Sequence, residues 1–310
     1  MVVVAQSNGH YDGTRRVLGL IEEDLKIVLQ SKSLVVVKPN FVSTYSELSA
    51  TPVEAVKALL DMISKYYDKE IIITESPAMG SFENGLRNYG YYGLMDEYNV
   101  EFIALDDYEG VDFYVWDRNL NRNVKVKVSK LILNSDCLIS ITRPKTHDTV
   151  IVTLTIKNIV MGAIQRGYKS LMHQGYKAIN LSLAYLATFM MPSLGIIDGF
   201  IGMEGNGPIS GSPVESRFAV TGLNPVEVDG ITCSLMGFDP SDVGYLYYLN
   251  LLGYGSIKPN DMSIIGVKHW TRLIKRFRPH HGYRSQLKWR LRPEEWLRVK
   301  DILLKRGKKG

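Results

Sequence analysis

Cysteine is scarce: 310 residues hold two, Cys137 and Cys233. Two thiolates cannot complete a four-thiolate zinc site or an iron–sulfur cluster, so an iron–sulfur cofactor is not expected. Both lie in apolar runs, which suits buried free thiols in a reducing compartment. Long apolar runs are lacking too. A membrane helix needs about 18 or more. The nearest stretch, residues 178–200, is broken by Asn180, Pro192 and Asp198. The apolar start at residues 1–6 is too short for a signal peptide and has no basic leader, so it reads as a buried strand. A cytoplasmic chain that does not span a membrane is the expectation. Two phosphate motifs are missing as well. No Gly-Lys-Ser/Thr loop is present, and no Gly-x-Gly-x-x-Gly follows the first strand, so neither motif supports ATP or NAD binding.

What is present is an ordinary globular composition, with 45% hydrophobic and 22% charged residues. Charge is unevenly placed. From Lys268 onward 15 Lys and Arg face 3 Asp and Glu, while the first 267 residues hold 22 basic and 29 acidic side chains. The basic character belongs to the tail. Short, almost wholly apolar runs at 2–5, 34–38, 71–74, 101–104, 136–141, 194–197, 217–221 and 262–267 read as strands covered on both faces. Helical patterns lie between them, at 13–29, 52–67, 82–89, 176–190, 225–236 and 241–252. Thr51-Pro52 reads as an N-cap before a first-turn proline. Runs 111–115 and 124–128 flank Asn119-Leu120-Asn121-Arg122-Asn123 and read as an inserted hairpin.

The expected fold is therefore α/β: a doubly wound, mostly parallel sheet with an inserted β-hairpin and a basic C-terminal helical tail. The division falls at 1–267 for the α/β domain and 268–310 for a tryptophan-containing extension. A helix is expected from Arg292-Pro293 to about Leu304, and disorder from residue 305 to 310.

In parallel sheets ligands bind beyond the carboxyl ends of the strands. The residues that follow these strands are chemically active types. Lys38-Pro39-Asn40 offers a cation and an amide to a carboxylate or phosphate. Glu75 suits a base or a metal ligand. Thr142-Arg143-Pro144-Lys145-Thr146-His147-Asp148 packs cations with a proton carrier. Lys157 and Asn158 lie in an apolar stretch, where burial depresses a lysine pKa. His173 follows. Asp198, Glu204 and Asn206 lie among glycines that allow close approach, and Asp229 lies near a helix start.

Val35-Val36-Val37-Lys38-Pro39-Asn40, Thr74-Glu75-Ser76-Pro77, Pro144-Lys145-Thr146-His147, Thr155-Ile156-Lys157-Asn158, Asp198-Gly199 with Met203-Glu204-Gly205-Asn206-Gly207-Pro208, and Val228-Asp229 with Leu235-Met236-Gly237 resemble the DUF362 family, in order and spacing, over roughly residues 30 to 265. The resemblance implies no established reaction. Many members carry an appended ferredoxin-like module, and this chain lacks the cysteines for it. The family is also distantly similar in fold to the N-terminal domain of lactate-racemase-like proteins.

The functional expectation is an enzyme acting on a small anionic metabolite. Lys145, His147, Lys157 and His173 would be catalytic. Lys38, Asn40, Glu75, Arg143, Asn158 and Asn206 would bind substrate. Asp198, Glu204 and Asp229 would hold a divalent cation if one is needed. The reaction would be proton abstraction beside a carbonyl, or a ligase-like or transferase step. Lys38, His147, Lys157 and Glu204 should then share one cleft. The alternative is a partner bound through residues 268–310, either nucleic acid or an anionic membrane surface, or a non-catalytic place in a complex.

Overall fold

A computed structural model describes residues 1–307, with side chains through residue 305. The strands are β1 (Val2–Gln6), β2 (Val35–Lys38), β3 (Ile71–Glu75), β4 (Val100–Ala104), β5 (Gly110–Trp116), β6 (Arg122–Ser129), β7 (Cys137–Thr142), β8 (Lys145–His147), β9 (Ile151–Thr153), β10 (Leu194–Glu204), β11 (Ser212–Gly222) and β12 (Ile264–Gly266). The main sheet runs β12-β1-β11-β10-β7-β2-β3-β4. Neighbours pair in parallel from β10 through β7, β2 and β3 to β4, and again between β1 and β12. β11 alone on this path runs antiparallel, to both β1 and β10. The doubly wound, mostly parallel sheet is therefore present, and β5 and β6 form the separate hairpin.

The strands alternate their side chains between two cores. Val35 and Val37 join one cluster and Val36 the other, as the period of two requires. Helices His10–Gly19, Glu22–Leu29 and Val53–Ile63 cover the first cluster through residues such as Leu18, Leu25 and Leu59. Helices Thr155–Ala163, Tyr176–Ala187, Pro225–Leu235 and Gly244–Leu251 cover the second.

Several local expectations change. The pattern at 13–29 is two helices, broken after Gly19 where the chain turns at Leu20. Thr51 does not cap a helix: its hydroxyl accepts from Asn40 N–H and donates to the Ile141 carbonyl, and Pro52 precedes the first helical residue. β8 and β9 form a short ribbon, an element absent from the strands expected from the sequence. The C-terminal helix spans Pro293–Gly307, through the start of the segment expected to be disordered; residues 308–310 lie outside the described residues.

From residue 268 the chain folds back onto the sheet domain. Phe277, Trp289, Val299 and Leu303 are buried in the second core cluster. Trp289 Nε1 donates to the Asp242 carbonyl at 2.5 Å, and Lys177 pairs with Glu295 at 2.7 Å. Both cysteines are buried and free. Among the described residues no helix is long and apolar enough to cross a membrane.

Candidate functional site

Parallel pairing brings the carboxyl ends of β2, β3 and β7 to one edge, so Lys38, Glu75 and Thr142 finish side by side. Over this edge runs helix Thr155–Ala163. Its β-branched residues argue for a strand, yet tertiary contacts make it a helix. Asp229, from helix Pro225–Leu235, supplies the start. Its carboxylate accepts from Thr155 N–H at 2.9 Å, Thr155 Oγ1 at 2.6 Å and Ile156 N–H at 3.0 Å. Burial raises the Asp229 pKa to about 7, against those bonds. With the helix in place, Lys157, Asn158, Met161 and Gly162 share one face, and all four line an open cavity of about 420 Å³.

Beneath the cavity lies a connected polar layer. Lys38 is fully buried and its Nζ meets Glu75 Oε1 at 2.8 Å, Asn158 Oδ1 at 2.9 Å and the Pro39 carbonyl at 3.1 Å. Glu75 accepts from Phe41 N–H at 2.7 Å and Ser76 N–H at 2.8 Å. Burial lowers the Lys38 pKa while Glu75 opposes the shift. Asn158 bridges onward, accepting from Asn40 Nδ2 at 3.0 Å and donating to Ser140 Oγ at 3.0 Å. Lys145, also fully buried, donates to Asn40 Oδ1 and to the Ser49 carbonyl. Burial first, then Arg143 and Lys157, holds the Lys145 pKa well below the ordinary lysine range. Gly162 is needed because an added methyl there would collide with the Lys38 head group.

Three cations, Lys157, Arg166 and Lys169, stand in the cavity wall beside two carboxylates, Glu75 and Asp148. Lys157 is 7% exposed and has no hydrogen bond or ion pair among the described residues. Burial lowers its pKa to about 8. In the same wall, the buried Thr153 hydroxyl also has no partner. Lys169 caps the helix, donating to the carbonyls of Met161 at 2.7 Å and Gly162 at 3.3 Å, and burial lowers its pKa to about 7. Arg166 stands at the rim.

His147 is buried, and burial with the nearby Lys157 charge drops its pKa to about 3, so the ring is neutral near pH 7. Its Nδ1 accepts from Thr149 N–H at 3.0 Å, with Asp148 Oδ1 also 3.0 Å away. The Thr149 N–H calls for a bare Nδ1 and the Asp148 carboxylate for a protonated one, so the ring's single proton is contested at that nitrogen. His173 lies exposed at the mouth, with a pKa lowered by partial burial and by Lys157.

The structure thus gathers Asn40, Glu75, His147, Lys157, Asn158 and His173 in the cavity wall, with Lys38 and Lys145 under it. It does not gather the rest. Arg143 is buried at another, smaller cavity, donating to the Ala50 and Ile201 carbonyls at 3.0 and 2.9 Å. Asp198 is fully buried and bonds His10 Nδ1 at 2.7 Å. Glu204 accepts from Arg278 N–H at 2.9 Å, and Asn206 Oδ1 lies 2.9 Å from His281 Nδ1, so both fasten the C-terminal segment. Asp198, Glu204 and Asp229 therefore do not form one metal site, and Glu204 does not join the cleft. Among the described residues no group of three His, Cys, Asp or Glu is placed to hold a metal. Sequence reading missed Lys169, Arg166 and Thr153. Their signal was weak: nothing in the run 165–170 announces that it folds back under the helix end.

Fold and site define a doubly wound α/β protein with a cavity of mixed charge at the carboxyl edge of its sheet. The chain belongs to the DUF362 family, a domain of unknown function, whose model matches residues 35–234. It is 24% identical over 215 residues to the thylakoid-associated protein sll1697 of Synechocystis sp.; the match covers 67% of this chain and 64% of that relative's length. The structure is similar to the lactate racemase apoprotein of Thermoanaerobacterium thermosaccharolyticum, with a TM-score of 0.52 at 14% identity, over 76% of this chain and 56% of that one. At that identity the likeness is one of fold.

Proposed function

We propose that this chain is an enzyme whose cavity binds a small metabolite carrying a carboxylate or phosphate and moves a proton on it. The observation that carries this is the buried ammonium of Lys157, which has no hydrogen-bonded acceptor and only the more distant charge of Asp148 to offset it, on a cavity wall shared with Thr153, Lys169 and Arg166. A buried cation with no directly bonded anion is costly, and a bound anion relieves that cost. A volume of about 420 Å³ suits a ligand of metabolite size. The roles divide by environment. Lys157 and Lys169 face the anion. His147, neutral and in the same wall, supplies a ring nitrogen for hydrogen bonding to the bound molecule. His173, at the mouth with a lowered pKa, is the proton acceptor. Lys38, Glu75 and Asn158 hold the helix face in register.

Calorimetry with inorganic phosphate and a panel of small carboxylates tests the reading. Lys157→Ala should weaken the tightest of them about 10- to 100-fold. No binding by the wild type, or equal binding by the variant, would overturn it.

A second reading has its own observation. Leu297 and Leu304, seven residues apart on helix Pro293–Gly307 of the basic C-terminal segment, are 59% and 41% exposed. Exposed apolar side chains in a segment with a net positive charge suit an anionic membrane surface, met from the cytoplasmic side. The relative sll1697 is named as thylakoid-associated. Nucleic-acid stacking has less support, because Trp289 is buried and Trp270 and Trp296 pack on the core. Co-sedimentation with phosphatidylglycerol vesicles should fall when Leu297 and Leu304 are both changed to Glu. Unchanged sedimentation would dismiss the surface.

A further inference from the structure

Four lysine head groups lie in the cavity wall or beneath it, and three are engaged. Lys38 is tied to Glu75 and Asn158, Lys145 to Asn40 and the Ser49 carbonyl, and Lys169 to the carbonyls of Met161 and Gly162. Lys157 alone among them has no acceptor, although it is buried, at 7% exposure. That isolation leaves the ammonium open to an anion. It also means that no acceptor stabilises the protonated form, which suits an amine that must lose a proton before it attacks a carbon.

The surroundings favour loss of its proton. Burial disfavours the ammonium and Lys38 adds like charge, while Asp148 opposes them. At a pKa of about 8 roughly a tenth of the amine is neutral at pH 7. Lys169 and Arg166 stand in the same wall to grip an anionic group on the incoming molecule. His147 stands in the wall with them.

We propose that Lys157 forms a Schiff base with a small carbonyl compound that also carries an anionic group. The inference rests on the anion-binding reading of the same cavity. The neutral Nζ adds to the carbonyl carbon to give a carbinolamine. Nitrogen then expels the oxygen as water. One proton of that water comes from the amine and one from solvent, and a protonated imine remains. No oxidant or reductant takes part. The iminium draws electron density from the adjacent C–H bond, so His173 can take the proton there as a neutral base.

The test is reductive trapping on the full chain. Wild-type protein is mixed with sodium borohydride and pyruvate, dihydroxyacetone phosphate or acetone, then digested and mapped by mass spectrometry. The first two probes separate a carboxylate grip from a phosphate grip; acetone has neither. Adduct should form at Lys157 about 10-fold or more faster than at the exposed Lys258, and acetone should lag the better anionic probe by a similar factor. Lys157→Arg, checked for folding by near-ultraviolet circular dichroism, should lose that adduct. Labelling confined to Lys169 or to exposed lysines overturns the Schiff base, as does acetone reacting as fast as both anions. Phosphate calorimetry on the same sample separates the failures. Phosphate bound without adduct removes the Schiff base and leaves the anion site. Neither removes both.

Discussion

At the scale of single residues, the cavity depends on exclusions as much as on contacts. Gly162 is the sharpest case. It lies inside a helix, where alanine is usually the better residue by about 1 kcal/mol. Here the added methyl would displace Lys38 from Glu75 and Asn158. Disrupting a buried pair costs about 3 kcal/mol or more, so Gly162→Ala should lose about 2 kcal/mol net in urea unfolding. A variant within about 0.5 kcal/mol of wild type would show that Lys38 can move freely.

His147 gives a pH prediction. Its folded pKa, about 3, lies below the ordinary histidine value near 6.5. Between those values the unfolded chain takes a proton that the folded chain refuses. Stability is therefore full above about pH 6.5 and falls as pH drops toward 3, by up to about 1.4 kcal/mol per pH unit from this group. Replacing His147 with Gln should flatten the acid limb of the stability profile. An unchanged slope between pH 6 and 4 would mean that His147 is protonated in the folded state.

Elements carry the next layer of the argument. Helix Thr155–Ala163 holds the cavity's key face and has little helical preference of its own. Asp229 satisfies three donors at its start. Asp229→Ala should cost about 2 kcal/mol and loosen anion binding, since Lys157 sits in the first turn. Asp229→Asn keeps an acceptor and should cost less, and its raised carboxyl pKa supports that ordering. Equal losses for both would place the effect in packing and not in capping. The ribbon of β8 and β9 works in the same way. Its pairing sets Lys145 beneath Asn40 and His147 in the wall. Local sequence showed neither element. The polar residues of the ribbon look like a loop, and the β-branched helix looks like a strand.

At the scale of the molecule, the basic C-terminal segment is bound into the fold. Gln286 Nε2 donates to the His147 carbonyl at 2.8 Å, so this segment also steadies the cavity wall. Cutting the chain after Val267 would expose the apolar surface that Phe277, Trp289, Val299 and Leu303 cover. The shortened chain should aggregate or melt well below the full one, and Trp289→Ala alone should cost about 3 kcal/mol. A stable, soluble fragment 1–267 that binds phosphate normally would make the segment an accessory.

The sequence by itself determined the doubly wound sheet, the hairpin and the strand ends from which ligands are reached. Short, almost wholly apolar runs alternating with amphipathic helices permit few other arrangements. It also marked Lys38, Asn40, Glu75, His147, Lys157, Asn158 and His173, because polar residues at strand ends or in apolar runs are conspicuous. Only the tertiary structure decided which of the marked residues meet. Arg143, Asp198, Glu204 and Asn206 look equivalent to the others along the chain, yet each has a private partner elsewhere. Asp229 touches the site only as a cap. Partner choice depends on contacts between segments far apart in sequence, and a pattern read along one chain contains no distances between them. The same holds for Lys157: its place in an apolar run was visible, and its lack of any acceptor was a property of the assembled wall.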